Sequence, residues 1–308
     1  MNCIVLGGGG FLGSHLCDSL LAGGHFVRIF EKKGSSKINI KHLINKIDLK
    51  EGDFSDLDNV REALSDMDIV FHLIGTTLPQ SSNDNPIYDL SSNLVATVQM
   101  LDIAKREGIK KIIFASSGGT IYGVPQVLPI PEDHPTLPIC SYGIQKLAIE
   151  KYLHLYHCLY AIDYAVLRIS NPYGARQSVE SNQGAISIFI ERALREQPIE
   201  IWGDGSIVRD FIHVSDVARA FVKSINNCTD YRLFNIGSGV GHTLRDIISE
   251  IEKEMGHQLK VTFTYARKID VPANVLAIER ASQALDWSPD VPFSMGISQM
   301  IRDRKLLS

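Results

Sequence analysis

Short apolar runs punctuate the first half of the chain at 2–6, 26–30, 69–73, 111–115 and 164–169, each five or six residues long. Their length and aliphatic content predict strands. Between them the apolar positions take helical spacing, as in Leu12, Leu16 and Leu20 and again in Leu94, Val98 and Leu101. Strands alternating with helices predict a parallel sheet covered on both faces, and near-continuous apolar strands suit that burial. The class is therefore α/β with a doubly wound sheet. Past residue 170 the pattern loosens. Asn171-Pro172-Tyr173-Gly174 reads as a turn, 184–196 and 243–255 as helices, and the alternation Val261, Phe263, Tyr265 as a strand of a smaller second domain.

Composition narrows the function classes. With 308 residues, 44% hydrophobic and 21% charged, the chain is long and apolar enough for a large core. A net charge of -4 argues against a cationic nucleic-acid binder. No run of about 18 apolar residues is present, so membrane insertion is not expected and the cytoplasm is the expected location. Cys3, Cys17, Cys140, Cys158 and Cys228 are scattered without a CxxC pair, which predicts buried or incidental thiols and no metal centre.

The first strand runs into Gly7, Gly10 and Gly13, spaced GxxGxxG and enclosing Phe11 and Leu12 at a helix start. Such a turn lets the backbone approach a pyrophosphate, which then rests on unpaired N–H groups at the positive end of the helix. Strand 26–30 is followed by Glu31, where a carboxylate can accept both hydroxyls of an adenosine ribose. The reading is a Rossmann domain that binds NAD rather than NADP. Lys32 and Lys33 leave a 2'-phosphate partner open beside the reading of solvated surface lysines.

Tyr142 and Lys146 are four apart in Ser141-Tyr142-Gly143-Ile144-Gln145-Lys146, on one helix face. An ammonium beside a phenol favours the phenolate, which gives the pair a use as a general base. Strand 111–115 ends in Ser116-Ser117-Gly118-Gly119-Thr120, which delivers hydroxyls to the carboxyl edge where ligands of such sheets bind.

These motifs resemble the extended short-chain dehydrogenase/reductase superfamily, in particular its UDP-sugar 4-epimerase branch. The likeness spans nearly the whole chain. It continues through Gly52-Asp53, His72-Leu73-Ile74-Gly75, Asn93, Leu167-Arg168-Ile169-Ser170-Asn171-Pro172-Tyr173-Gly174, Arg209-Asp210-Phe211-Ile212-His213-Val214-Ser215-Asp216 and Arg267-Lys268-Ile269-Asp270-Val271-Pro272. The resemblance implies that Asp53 and Phe54 hold adenine, that Leu73, Ile74, Gly75 and Thr77 line the cofactor together with Asn93 and Ile169, and that Lys146 bonds the nicotinamide ribose. Asn171, Arg209 and Arg267 match positions that hold the nucleotide diphosphate, with Asp270 near its ribose. Two arginines facing two phosphates agree with that assignment. Trp202 reads either as a nucleobase neighbour or as a buried structural Trp. His72 and His213 lie in structural motifs and receive no catalytic role.

The implied function is C4 epimerisation of a UDP-hexose or UDP-N-acetylhexosamine with Tyr142 as base and Ser117 on the same oxygen. The chain departs from the family at one place: four residues before Tyr122 stands Gly118, so Ser117 fits only if the strand sets the frame, and Thr120 stays open as the hydroxyl. Asn274 reads either as the residue that sets hexose size or as a surface-loop asparagine. The rivals are a nucleotide 4-ketosugar reductase and a dinucleotide sensor without chemistry. The expected division is 1–169 plus 204–232 for the NAD domain and 170–203 plus 233–308 for the substrate domain. Helices at about 93–106 and 142–160, showing Tyr152, Leu153, Tyr156 and Tyr160, predict a homodimer.

Overall fold

In the computed structural model, which describes residues 1–306 apart from 80, 179–183, 228 and 266–270, all five apolar runs form strands. β1 (Asn2–Leu6) and β2 (Phe26–Glu31) flank α1 (Phe11–Ala22), whose Leu16, Cys17 and Leu20 are fully buried. β3 (Asp48–Glu51) has a single apolar residue, the composition of an edge strand, and for that reason escapes a search for apolar runs. α2 (Leu57–Leu64) then starts on Asp56, whose carboxylate accepts the N–H groups of Asp58 and Asn59. After β4 (Ile69–His72) come α3 (Pro86–Asp89), a π-helical turn over Leu90–Val95 and α4 (Ala96–Arg106). β5 (Lys111–Ser117), α5 (Ser141–Tyr160) and β6 (Asp163–Ile169) complete the first half.

Beyond residue 170, β7 (Asn171–Tyr173) corrects the turn expected there. It pairs in parallel with a later strand, Asn171 opposite Phe211, and being paired on one side only it tolerates Pro172. α6 (Ala185–Leu194), β8 (Ile199–Trp202), β9 (Val208–His213) and α7 (Val214–Lys223) follow. The remainder comprises β10 (Leu233–Ile236), β11 (Gly241–Thr243), α8 (Leu244–Met255), β12 (Val261–Thr264), β13 (Ala273–Asn274), α9 (Glu279–Leu285) and α10 (Phe293–Lys305). α8 is closed at both ends by local chemistry, a reciprocal Thr243–Asp246 capping box and Gly256 in the left-handed region at φ 77°.

The large sheet has seven parallel strands in the order β10-β6-β5-β4-β1-β2-β3, the doubly wound Rossmann arrangement. One face buries Leu16, Val217, Phe221, Ala281, Leu285 and Trp287 against the strands, and the other packs α2, α4 and α5. A second sheet joins β11, β9, β13 and β7, with β8 and β12 paired apart, over a third core that includes Phe189, Ile247, Ile251 and Ile301.

This topology moves two of the expected boundaries. β9, assigned to the NAD domain, hydrogen-bonds β7, β11 and β13, whereas β10, assigned to the substrate domain, pairs with β6 and is the seventh strand of the large sheet. Its four residues, Leu233–Ile236, are too short for a periodic signal. The apolar helix face expected for a dimer also changes: Leu153 and Tyr156 are buried in the core and Tyr156 donates to Asp102, which leaves Tyr152, Leu155, Leu159 and Tyr160 outside.

Candidate active site

The glycine turn is packed so closely that only hydrogen fits at its third glycine. A Cβ on Gly13 would lie 2.2 Å from the Gly7 oxygen and 2.7 Å from Gly8 Cα, both backbone atoms. Gly7 itself has φ 86°, favoured by glycine. α1 begins at Gly10 with no side-chain cap and no acidic residue in its first turn, so Phe11, Leu12 and Gly13 present a bare, positive helix end. Glu31 reaches the same place: its Oε1 accepts the Gly9 N–H at 2.5 Å, and a Cβ at Gly9 would meet that oxygen at 3.0 Å. Burial pushes the Glu31 carboxyl up, against the lowering effect of that N–H. A side-chain-free cradle at an uncapped helix, with a carboxylate at the neighbouring strand end, fits a dinucleotide.

The flanking residues divide. Phe54 is buried on the His72 ring, Asp53 is exposed and holds Ser55, and Lys32 lies in solvent. Leu73, Ile74 and Gly75 leave β4 at the carboxyl edge, where Ile74 N approaches Gly7. Ile169, the last residue of β6, is buried opposite Ser117. The Asn93 amide bonds Thr76 and Asp89, and the Thr77 hydroxyl donates to Asp89, so both stiffen the wall from behind.

Tyr142 and Lys146 share a face of α5 as the spacing predicts. Lys146 Nζ lies 5.6 Å from the Tyr142 ring centre and 4.6 Å from that of Phe114, and donates to the Ala115 carbonyl at 2.9 Å. The electrostatics correct a simple activation by the ammonium. Burial pushes the Tyr142 phenol up to about 12 and brings Lys146 down to about 8, so the chain alone holds a neutral phenol at neutral pH. Ser117 ends β5 half-buried. At Gly118 a Cβ would press on Leu276 Cδ1 at 2.5 Å and the Arg168 oxygen at 3.1 Å, so a larger residue there would need its neighbours to shift. The Thr120 hydroxyl is buried nearby without a protein partner.

Asn171 and Arg209 line a cavity of about 240 Å³ together with Tyr173, Phe211 and Leu244. Asn171 Nδ2 donates to the Asp210 carbonyl, and one Arg209 nitrogen donates to the Val208 and Val271 carbonyls, which orients the guanidinium. Arg267 and Asp270 lie outside the described residues. Trp202 is exposed on β8 and donates to Glu200, which overturns its buried reading. Asn274 is 2% exposed, which overturns the surface-loop reading: Nδ2 donates to Gly118 O at 3.1 Å and Oδ1 is buried without a protein partner. His72 bonds Thr97 and stays neutral, held down to about 3 by burial, and His213 caps α7.

A model of the NAD dependent epimerase/dehydratase family matches residues 3–237. The chain belongs to that family. UDP-glucose 4-epimerase of Mycolicibacterium smegmatis is 33% identical over 306 residues, 98% of this chain and 97% of the relative. The structure of UDP-glucose 4-epimerase with UDP-glucose from Thermotoga maritima matches all of both chains at a TM-score of 0.94 and 34% identity. A dTDP-4-dehydro-6-deoxyglucose reductase of Escherichia coli is 36% identical over 233 residues, 76% of this chain and 73% of the relative.

Several residues of this epimerase-family site make contacts that the sequence motifs do not display. Glu150 and Arg168 form an ion pair at 2.7 Å, each side chain 4% exposed, and Ser116 beside Ser117 donates to Glu150 at 2.6 Å. Glu150 stands four residues after Lys146, a carboxylate on the buried face of α5, and that periodicity was the available signal. Asp210 accepts the N–H groups of Ser238, Gly239 and Leu276, pinning β9 beside the large sheet.

Proposed function

We propose that this protein is an NAD-dependent UDP-sugar 4-epimerase. The carrying observation is that the Tyr142–Lys146 pair is fastened to β5 by the Lys146 Nζ bond to the Ala115 carbonyl, two residues before Ser117, within a fold where Asn274 of the second sheet bonds Gly118 directly. As the phenolate, Tyr142 takes the proton of the sugar 4-hydroxyl, and Ser117, with Thr120 as the neighbouring alternative, hydrogen-bonds the same oxygen. Bound at the Gly7–Gly13 turn and Glu31, NAD would supply positive charge beside the phenol and a reversible hydride acceptor for C4. Lys146, held by the Ala115 carbonyl, keeps the cofactor ribose and the phenol in register. Asn171 and Arg209, joined by Arg267 and Asp270, grip the nucleotide and diphosphate so that the hexose can turn over between the two hydride steps.

The substrate is a UDP-hexose, and the small Asn274 side chain favours admission of an N-acetylhexosamine as well. Working in the cytoplasm, the enzyme pairs as a homodimer through the exposed Tyr152, Leu155, Leu159 and Tyr160 face of α5. The likeness to the dTDP-4-dehydro-6-deoxyglucose reductase supports a second reading, reduction of a 4-ketosugar. An NMR time course with UDP-glucose, UDP-galactose and UDP-N-acetylglucosamine and no added cofactor separates them. Epimer should accumulate to equilibrium. Stoichiometric oxidation of added NADPH with no epimer formed would establish the reductase instead.

A further inference from the structure

The catalytic helix begins without a cap of its own. Cys140, the residue before it, is extended (φ -144°, ψ 154°) and makes no side-chain cap. The helix is capped instead from the wall behind β4: the Ser141 N–H donates to Asn83 Oδ1 at 2.9 Å and the Tyr142 N–H to Ser82 Oγ at 3.0 Å. At the centre of that wall is Asp89, fully buried at the end of α3. Its Oδ1 accepts from the Thr77 hydroxyl and from Asn93 Nδ2 at 3.2 Å, and its Oδ2 accepts from the Ser141 hydroxyl at 2.6 Å. Asn93 also bonds the Thr76 N–H at 3.0 Å, and the π-helical turn after Asp89 keeps it within reach of that carboxylate.

We propose that Asp89 is a positioning residue for the catalytic base: it fastens the first turn of α5 to the cofactor wall and places a carboxylate on Ser141, next to Tyr142. The inference rests on the epimerase reading for its kinetic consequence, although the bonds stand without it. Groups facing the pair from the packed elements are Asp89 of α3, Glu150 of α5 itself, which pairs with Arg168 of β6 and also raises Lys146, the neutral His72 of β4, and the Cys140 thiol. Asp89 raises both Tyr142 and Lys146. Removing its charge therefore loosens the protons of the pair as a unit, whichever partner releases first.

The test compares NAD-loaded wild type, Asp89→Asn and Ser141→Ala. Asp89→Asn should move the acid limb of the kcat profile to lower pH by about 1 unit and reduce kcat by about 10-fold or more, with KM little changed. Ser141→Ala, which cuts the tether without changing charge, should reduce kcat and leave the limb in place. An acid limb at the wild-type position in Asp89→Asn, or wild-type kcat in both variants, would overturn the proposal. If wild type turns over none of the sugars, the functional reading fails by itself. The inference is then decided by tyrosinate absorbance titration, each protein measured against its Tyr142→Phe counterpart: a lower Tyr142 midpoint in Asp89→Asn supports it and an unmoved one refutes it.

Discussion

Gly7, Gly10, Gly13 and Glu31 build the proposed cofactor cradle from one strand–turn–helix–strand unit at the start of the chain, whereas Asn171, Arg209 and Asn274, proposed for the sugar nucleotide, come from β7, β9 and β13. The first is held by sterics, since the backbone at Gly13 admits no side chain. The second is held by buried polar pins, Asp210 on three backbone N–H groups and Asn274 on Gly118. A cradle that never reshapes suits a retained cofactor, and a pocket fastened near the nucleotide suits a sugar that must turn. The Tyr142–Lys146 pair stands between them on α5.

Three substitutions separate the two regions. Tyr142→Phe, between them, should cut turnover by about 100-fold or more while NAD still copurifies, read from steady-state kcat and cofactor content. Next in size, Arg209→Ala should raise KM by about 10- to 100-fold, the worth of a charge-assisted hydrogen bond at about 1.5–3 kcal/mol. Its kcat and NAD content should hold, so a fall in both would mean that the pocket and the cradle are not separable. Gly13→Ala should do the reverse. The forced shift costs about 1–3 kcal/mol, visible as a lower Tm and lost NAD, and any active fraction left should bind UDP-sugar with ordinary KM.

The contrast also explains what was legible in the sequence. The cradle and the Tyr142–Lys146 pair are local: their chemistry requires fixed residues at fixed spacing, so the chain displays them directly. β10 was assigned to the wrong side and β7 was read as a turn because each is short and is defined by partners far away, Leu233 opposite Val166 and Asn171 opposite Phe211. Asp89, Ser82 and Asn83 were missed for the same reason, since they cap a helix that begins more than fifty residues later. Spacing also cannot weigh desolvation. In the chain alone, burial raises the Tyr142 phenol and lowers Lys146, an effect that spacing does not display.

The central claim is a closed cycle in which the hydrogen removed from C4 is the one put back. UDP-glucose carrying deuterium at C4, incubated with the NAD-loaded protein in ordinary water and without added cofactor, tests it directly. The account predicts the C4 epimer with deuterium retained at that carbon. Epimer formed with the label exchanged into water would contradict it, because the proton chemistry at C4 would then bypass the cofactor.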